Sequence, residues 1–332
     1  MRQPADARRA VGRVRLAPGR TTIVPRHLLS LADLNTAEVN RLFEITADLK
    51  SKLADGVRPP LLAGRVMAMV FEKPSLRTRV SFEAGMGQLG GNTLFLGADA
   101  GFRKRESIED FGRVLSEYVD AIVVRCYAHD TLATLARCAS CSVINGLSDF
   151  SHPCQALADL FTLRELRGKL AGLTLAWIGD CNNVARSLAL GCGRTGVRML
   201  VACPAPYRFS DEELAWIRRH APDLDFAFID DPYDAVARAD AVYTDVWVSM
   251  GQEKEREERI AVFSPYQVNG GLMAAAPNHA VFMHCLPAHR GEEVTDEVID
   301  GPNSVVIQQA GNRMHVQKAI LVWLLGAVAG AE

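Results

Sequence analysis

The residues that say most about chemistry are Ser75, Arg77, Thr78 and Arg79, in the run Phe71-Glu-Lys-Pro-Ser75-Leu-Arg77-Thr78-Arg79. They follow an apolar stretch, 66–71, that reads as a buried strand. Pro74 and Ser75 stand where a helix begins, since Pro suits a first turn and Ser caps. Such a junction points several unpaired backbone N–H groups and the positive end of the helix dipole at one spot. Arg77 and Arg79 add charge and forked donors, which makes a seat for phosphate or a similar dianion. A capped surface helix carrying two solvated arginines is the structural alternative.

Other reactive side chains also stand where apolar runs stop. Arg125 closes 120–125, either for anion contact or for a salt bridge. His152 and Gln155 lie three apart at the start of a helix, on one side of its first turn. They can donate to a carbonyl oxygen and hold an amide, or simply cap the helix. Asn182 and Asn183 open another helix, as caps or as a grip on a carboxylate. Asp245 and Ser249 follow a further strand and suit an ammonium group, or form an ordinary turn. His284-Cys285-Leu286-Pro287 ends the next strand, and the Leu286-Pro287 step invites a cis peptide.

These ends need elements to hold them. Apolar runs of strand length recur at 66–71, 93–97, 120–125, 142–145, 173–178, 198–202, 225–229, 240–244, 280–284 and 304–308. Between most of them lie amphipathic stretches of helical length, among them 106–118, 129–140, 152–167, 184–194 and 211–220. Alternation of this kind implies an α/β fold with parallel sheets covered on both faces. Ten strands are many for one sheet, so the expectation is two doubly wound domains linked by long helices: 26–168, then 169–311, with the break near Gly168–Gly172. In open parallel sheets ligands sit at the carboxyl ends of strands, where the residues above cluster. The charge run Glu253-Lys-Glu-Arg-Glu-Glu-Arg259 reads as a solvated loop or helix face.

Composition narrows the function. The 332 residues are 23% charged with a net charge of −2, which suggests neither nucleic acid nor membrane as a partner. Residues 1–26 hold seven Arg and one acid, Asp6, leaving −8 for the rest. Residues 1–25 read as a flexible extension of a cytoplasmic protein, or as a transit peptide to the mitochondrial matrix. The apolar stretch 319–331 is too short to span a bilayer and reads as a docked terminal helix. Eight cysteines are scattered. Cys138 and Cys141 have two-residue spacing but no second pair, so they read as buried, reduced thiols on a helix. His284, Cys285 and His289 lack a fourth ligand at a suitable spacing, and no metal is expected. Gly179-Asp180-Cys181 lacks the GxGxxG fingerprint, which speaks against a nicotinamide enzyme.

Taken in order, Ser75-Leu-Arg-Thr-Arg79, His152-Pro-Cys-Gln155, Asp245-Val-Trp-Val-Ser249-Met250-Gly and His284-Cys-Leu-Pro287 resemble the carbamoyltransferases, and the last two motifs their ornithine branch. The resemblance runs from about Arg26 to the C-terminus. It implies a first domain for carbamoyl phosphate and a second for L-ornithine, with the C-terminal helix, 312–332, packed back on the first. Catalytic weight would fall on Arg77, Arg125, His152, Asp245, Cys285 and Arg313. Ser75, Leu76, Arg77, Thr78 and Arg125 would hold the phosphate; Arg77, Thr78, Arg125 and His152 would polarise the carbonyl oxygen. Gln155, Cys285, Leu286 and Arg313 would place the carbamoyl NH2, while Asn183, Asp245, Ser249 and Met250 would bind the amino-acid head. It further implies direct attack of the δ-amine with no cofactor, a homotrimer or a multiple of trimers, and sites at subunit boundaries.

Two positions depart from the family pattern. Gly101 replaces a polar residue in a loop that reaches the neighbouring subunit, where Arg103, Lys104 or Arg105 would substitute. Gly311 replaces a Glu near Arg313, which implies weaker ordering of that arginine. Carbamoylation of another amine such as putrescine, and a non-catalytic carbamoyl phosphate-binding paralogue, are the competing functions.

Overall fold

A computed structural model describes residues 25–97, 102–103, 105–248 and 253–326. Residues 1–24, Gly101, Lys104, Ser249 and Met250 therefore lie outside the described residues. The chain alternates strand and helix. The order is α1 (Thr36–Ala54), β1 (Val66–Phe71), α2 (Leu76–Gln88), β2 (Asn92–Leu96), α3 (Ile108–Leu115), β3 (Ala121–Arg125), α4 (His129–Cys138), β4 (Ser142–Leu147) and α5 (Pro153–Arg167). Next come β5 (Thr174–Ile178), α6 (Asn183–Thr195), β6 (Arg198–Ala202), α7 (Asp211–His220), β7 (Phe226–Ile229), α8 (Pro232–Val236) and β8 (Ala241–Thr244). Last are α9 (Arg256–Phe263), α10 (Gly270–Ala275), β9 (Val281–His284), α11 (Asp296–Ile299) and α12 (Val306–Leu325).

The strands form two parallel sheets, ordered β2-β1-β3-β4 and β7-β6-β5-β8-β9. This is the α/β class expected from the alternation, with helices between the strands. Helix starts follow local rules. Asn35 and Glu38 make a reciprocal capping box on α1, as do Ser210 and Glu213 on α7. Gly168 ends α5 at φ 77°, a backbone conformation that side chains with a Cβ disfavour.

Four local expectations need correcting. Residues 304–308 are not a strand: Ser304 makes a single bridge to Phe282, and α12 begins at Val306, ahead of the expected 312. Helix α5 is not amphipathic, because every residue from Pro153 to Leu163 is buried. One apolar cluster runs through it, from Met67 and Phe82 by the first sheet to Trp177 and Tyr243 in the second, so α5 is buried on all sides as far as Leu163. Cys138 ends α4 whereas the buried Cys141 lies beyond it, so the two thiols are free but are not a helical pair. The charge run is not wholly solvated: Arg259 on α9 is 3% exposed. Helix α12 packs against α5, α1 and α2, so the last described helix lies against helices from the first half of the chain. Among the described residues no helix is long and apolar enough to cross a membrane.

Candidate active site

Both sheets reverse their strand order at one point, and the reactive residues sit there. In the first sheet β1 lies between β2 and β3, so the α2 start after β1 faces the end of β3. Register sets Phe71 beside Arg125. Ser75 caps α2, its Oγ accepting from Thr78 N at 3.3 Å and donating to Thr78 Oγ1 at 3.1 Å. From the far end of the chain, Arg313 on α12 donates to the same Thr78 Oγ1 at 3.1 Å.

Arg77 stands close enough to perturb both Arg125 and Arg313. Burial, then Arg313 and Arg77, holds Arg125 down to about 10, still cationic at neutral pH. Burial also lowers Arg313, which feels Arg77 as well. Nε of Arg125 and of Arg313 are buried without a partner among the described residues. Neighbouring cations with idle donors are destabilising unless an anion joins them. Arg79 does not belong to this group: it pairs with Glu83 at 3.1 Å and covers the Phe95 ring. Arg103 pairs with Glu72 of its own chain at 3.1 Å.

His152 and Gln155 are not caps. His152 precedes α5 but its side chain makes no capping bond, and its Nδ1 is buried without a partner among the described residues. Burial and then Arg313, Arg125 and Arg77 push its pKa well below the usual value, so the ring is neutral. Gln155 donates to Asp159 at 2.7 Å.

In the second sheet the reversal falls between β5 and β8. Thr244 pairs with His284, so the next residues, Asp245 and Cys285, emerge side by side. The Cys285 thiol donates to Asp245 Oδ1 at 2.9 Å. Burial and the Asp245 carboxylate push that thiol well above its usual pKa, which keeps it protonated. Asp245 also accepts from Val246 N and from Asn182 Nδ2, both at 2.8 Å. Asn182 caps α6, accepting from Val184 N at 2.9 Å and Ala185 N at 3.1 Å. Asn183 instead donates to Ser148 O at 2.6 Å. Leu286 has φ 57°, its N–H donates to His284 Nδ1 at 2.8 Å, and the Leu286–Pro287 bond is cis. Cys285 lies within electrostatic range of both Arg125 and Arg313, so the two strand-end clusters border one site.

The sequence reading passed over Asn182 as a partner of Asp245, and over Asp159 and Arg259. Arg259 donates to Trp247 O at 2.5 Å and pairs with Asp180, holding the turn that follows Asp245. An acid at i+4 from Gln155 within an otherwise apolar run was a usable signal for Asp159. Gly311 lies exposed on α12, two residues from buried Arg313 and therefore not facing it, so a carboxylate there would not order the arginine.

Comparison with known proteins decides the family. The aspartate/ornithine carbamoyltransferase carbamoyl-P binding domain matches residues 26–165, and the Asp/Orn binding domain of the same family matches 171–324. The chain belongs to the aspartate/ornithine carbamoyltransferase family. Family members named ornithine carbamoyltransferase include one from Anoxybacillus flavithermus, 50% identical over 90% of this chain and 96% of that protein. Another, from Bacillus subtilis, is 49% identical over 92% and 95%. The solved ornithine carbamoyltransferase of Pyrococcus furiosus superposes with a TM-score of 0.88, at 48% identity, over 92% of this chain and 98% of that one.

Proposed function

We propose that the chain transfers the carbamoyl group of carbamoyl phosphate to the δ-amine of L-ornithine, giving L-citrulline and phosphate in arginine metabolism. The observation that carries this reading is the pairing of two opposite sites: arginines beside the α2 start whose buried Nε atoms have no partner among the described residues, and a carboxylate–thiol pair at the ends of β8 and β9.

The phosphate seats on Ser75, the Leu76 backbone, Arg77 and Thr78, with Arg125 beside it. Arg77, Thr78, Arg125 and neutral His152 aim donors at the carbonyl oxygen, where negative charge develops in the tetrahedral transition state. One such donor is worth about 3 kcal/mol. Because Arg313 donates to Thr78 Oγ1, the Thr78 hydrogen is free for the substrate oxygen. Arg313 has donors only, so it serves an oxygen rather than the carbamoyl nitrogen. Gln155 and the backbone of Cys285 and Leu286 hold that NH2 group. Asn183, Asp245, Ser249 and Met250 take the amino-acid head.

A free alkyl amine with a pKa near 10.4 is mostly protonated, and the cations across the site favour its neutral, attacking form. The protonated Cys285 thiol is a hydrogen-bond donor there, not a nucleophile. The neutral amine attacks the carbamoyl carbon, the bond to the phosphate oxygen breaks, and the departing phosphate takes the amine proton, so the transfer needs no covalent enzyme intermediate. Closure of the two halves excludes water from the labile acyl phosphate.

Sites at the boundaries of a homotrimer are consistent with exposed apolar residues beside the anion site, Leu76 at 76% and Val80 at 50%, and with Leu94 on the edge strand β2. A cytoplasmic location goes with this reading. The deciding assay measures carbamoylation of ornithine, putrescine, N-acetylornithine and aspartate side by side. Strong preference for ornithine is expected. Preference for putrescine would overturn the amino-acid site alone, and no turnover of any amine by an intact trimer would leave a binding paralogue.

A further inference from the structure

Asp159 is wholly buried on α5, one turn below Gln155, and no step above uses it. Its Oδ1 accepts from Gln155 Nε2 and from Gln309 Nε2, both at 2.7 Å, and its Oδ2 from Tyr243 OH at 3.1 Å. Chemistry fixes the direction of the two amide hydrogen bonds. A backbone N–H can only donate, so His284 N, 3.0 Å from Gln309 Oε1, turns the Gln309 NH2 toward Asp159. Burial raises the Asp159 carboxyl to about 7, but its Oδ1 already accepts from Gln309 and therefore takes the Gln155 NH2 in either protonation state. The opposite end of that amide, Oε1, is left buried and unpartnered among the described residues. Gln155 itself stands three residues after His152, on the same side of the first turn of α5.

We infer that Asp159 is a positioning residue: by claiming the Gln155 NH2 it fixes the Gln155 carbonyl oxygen toward the reacting group, so that the site selects an acyl phosphate bearing NH2. The inference rests on the carbamoyl phosphate reading above. Without Asp159 the Gln155 amide can turn over and present NH2 to NH2, which pairs nothing. The same carboxylate joins Tyr243 on β8 and, through Gln309 on α12, the backbone of His284 ahead of Cys285. The Gln155 amide is thereby set in register with both strand ends of the amine site.

Acetyl phosphate, which carries CH3 in place of NH2, separates orientation from general damage. The experiment compares KM for carbamoyl phosphate with the inhibition constant of acetyl phosphate in the parent, D159L and D159N, with thermal melting to check folding. In D159L the carbamoyl phosphate KM should rise about tenfold, the loss of one good hydrogen bond. The acetyl phosphate constant should stay within about threefold, since no orienting bond is made to its methyl group. D159N should stay close to the parent, because its oxygen still accepts from both amides and its NH2 can donate to Tyr243. If D159L does not fold, D159S, which leaves room for water, carries the same comparison. An unchanged folded variant, equal loss for both acyl phosphates, or failure of both variants to fold overturns the proposal. A parent that turns over no carbamoyl phosphate would instead overturn the functional reading.

Discussion

The two ends of the site are built on opposite principles. At the first sheet, Arg77, Arg125 and Arg313 gather like charges, and buried nitrogens of the last two have no partner among the described residues. At the second, Asp245 is already satisfied by Asn182, the Val246 backbone and the Cys285 thiol. The anion end stores repulsion that a dianion relieves. The amine end is ordered before its ligand arrives, and binding must exchange one partner for another. Substitutions at the two ends should therefore affect activity and stability in different proportions.

The largest effect is expected at Arg125. R125M should lower kcat/KM for carbamoyl phosphate about 10³-fold, as for removal of a charged donor to the reacting group. Its melting temperature should nevertheless match or exceed the parent's. The sign follows from the shift: a folded pKa held down to about 10 means the charged form is disfavoured by folding, a penalty present below that pH. Inorganic phosphate should raise the melting temperature of the parent and much less that of R125M. A variant that melts well below the parent would show that the guanidinium supports the fold and remove the contrast.

His152 comes next. H152N should lower kcat about 100-fold, within the range for one lost donor. Because burial and three arginines depress its pKa, the ring is neutral well below neutral pH, and its protonation is not a feature of the working range. The shape of kcat/KM against pH should therefore be the same in H152N and the parent. An acid limb that disappears in H152N would identify a titrating His152 and contradict the cationic surroundings.

At the amine end, D245A should lower kcat/KM for ornithine about 30-fold, as for one hydrogen bond to a charged group, and also destabilise by about 1 to 3 kcal/mol. The stability loss arises because the Asn182 amide and the Cys285 thiol lose their acceptor. Arg259 lies one step further out. R259M breaks a buried pair with Asp180, at about 3 to 5 kcal/mol, and frees Trp247 O. Its ornithine KM should rise about tenfold, the scale of one orienting bond, with the carbamoyl phosphate KM unmoved. Equal movement of both constants would mean general loosening rather than a held turn.

The same contrast governs what the sequence revealed. The α2 start was legible because strand, cap and arginines are contiguous, and its chemistry needs only local geometry. Asp245 beside Cys285 was harder, because that contact depends on β8 pairing with β9 at Thr244 and His284, and register is not a local property. Arg259 was misread for a related reason. A charge run looks solvated from its own neighbours, but Asp180 and Trp247 O, far off in sequence, draw one arginine inward. Local composition also misled at 304–308, where Val305, Val306 and Ile307 have β propensity. Ile307 is 77% exposed, so that run has no second face to bury, and packing of α12 on α5, α1 and α2 decides for helix.

Gly311 gives the smallest effect and the cleanest separation of fold from site. It lies in the second turn of α12, and a Cβ there would meet nothing within 4 Å. Its φ is not in the left-handed region, so alanine fits without strain. G311A should stabilise by about 0.5 to 1 kcal/mol, through lower freedom of the unfolded chain and better helix propensity. Both Michaelis constants should stay at parental values, because Arg313 two residues on points to Thr78 from the buried side of the helix. A change in the carbamoyl phosphate constant would show that the backbone of α12 flexes at this glycine and sets where Arg313 sits. The cationic cluster would then be tuned from the exposed side of a helix rather than by its own contacts.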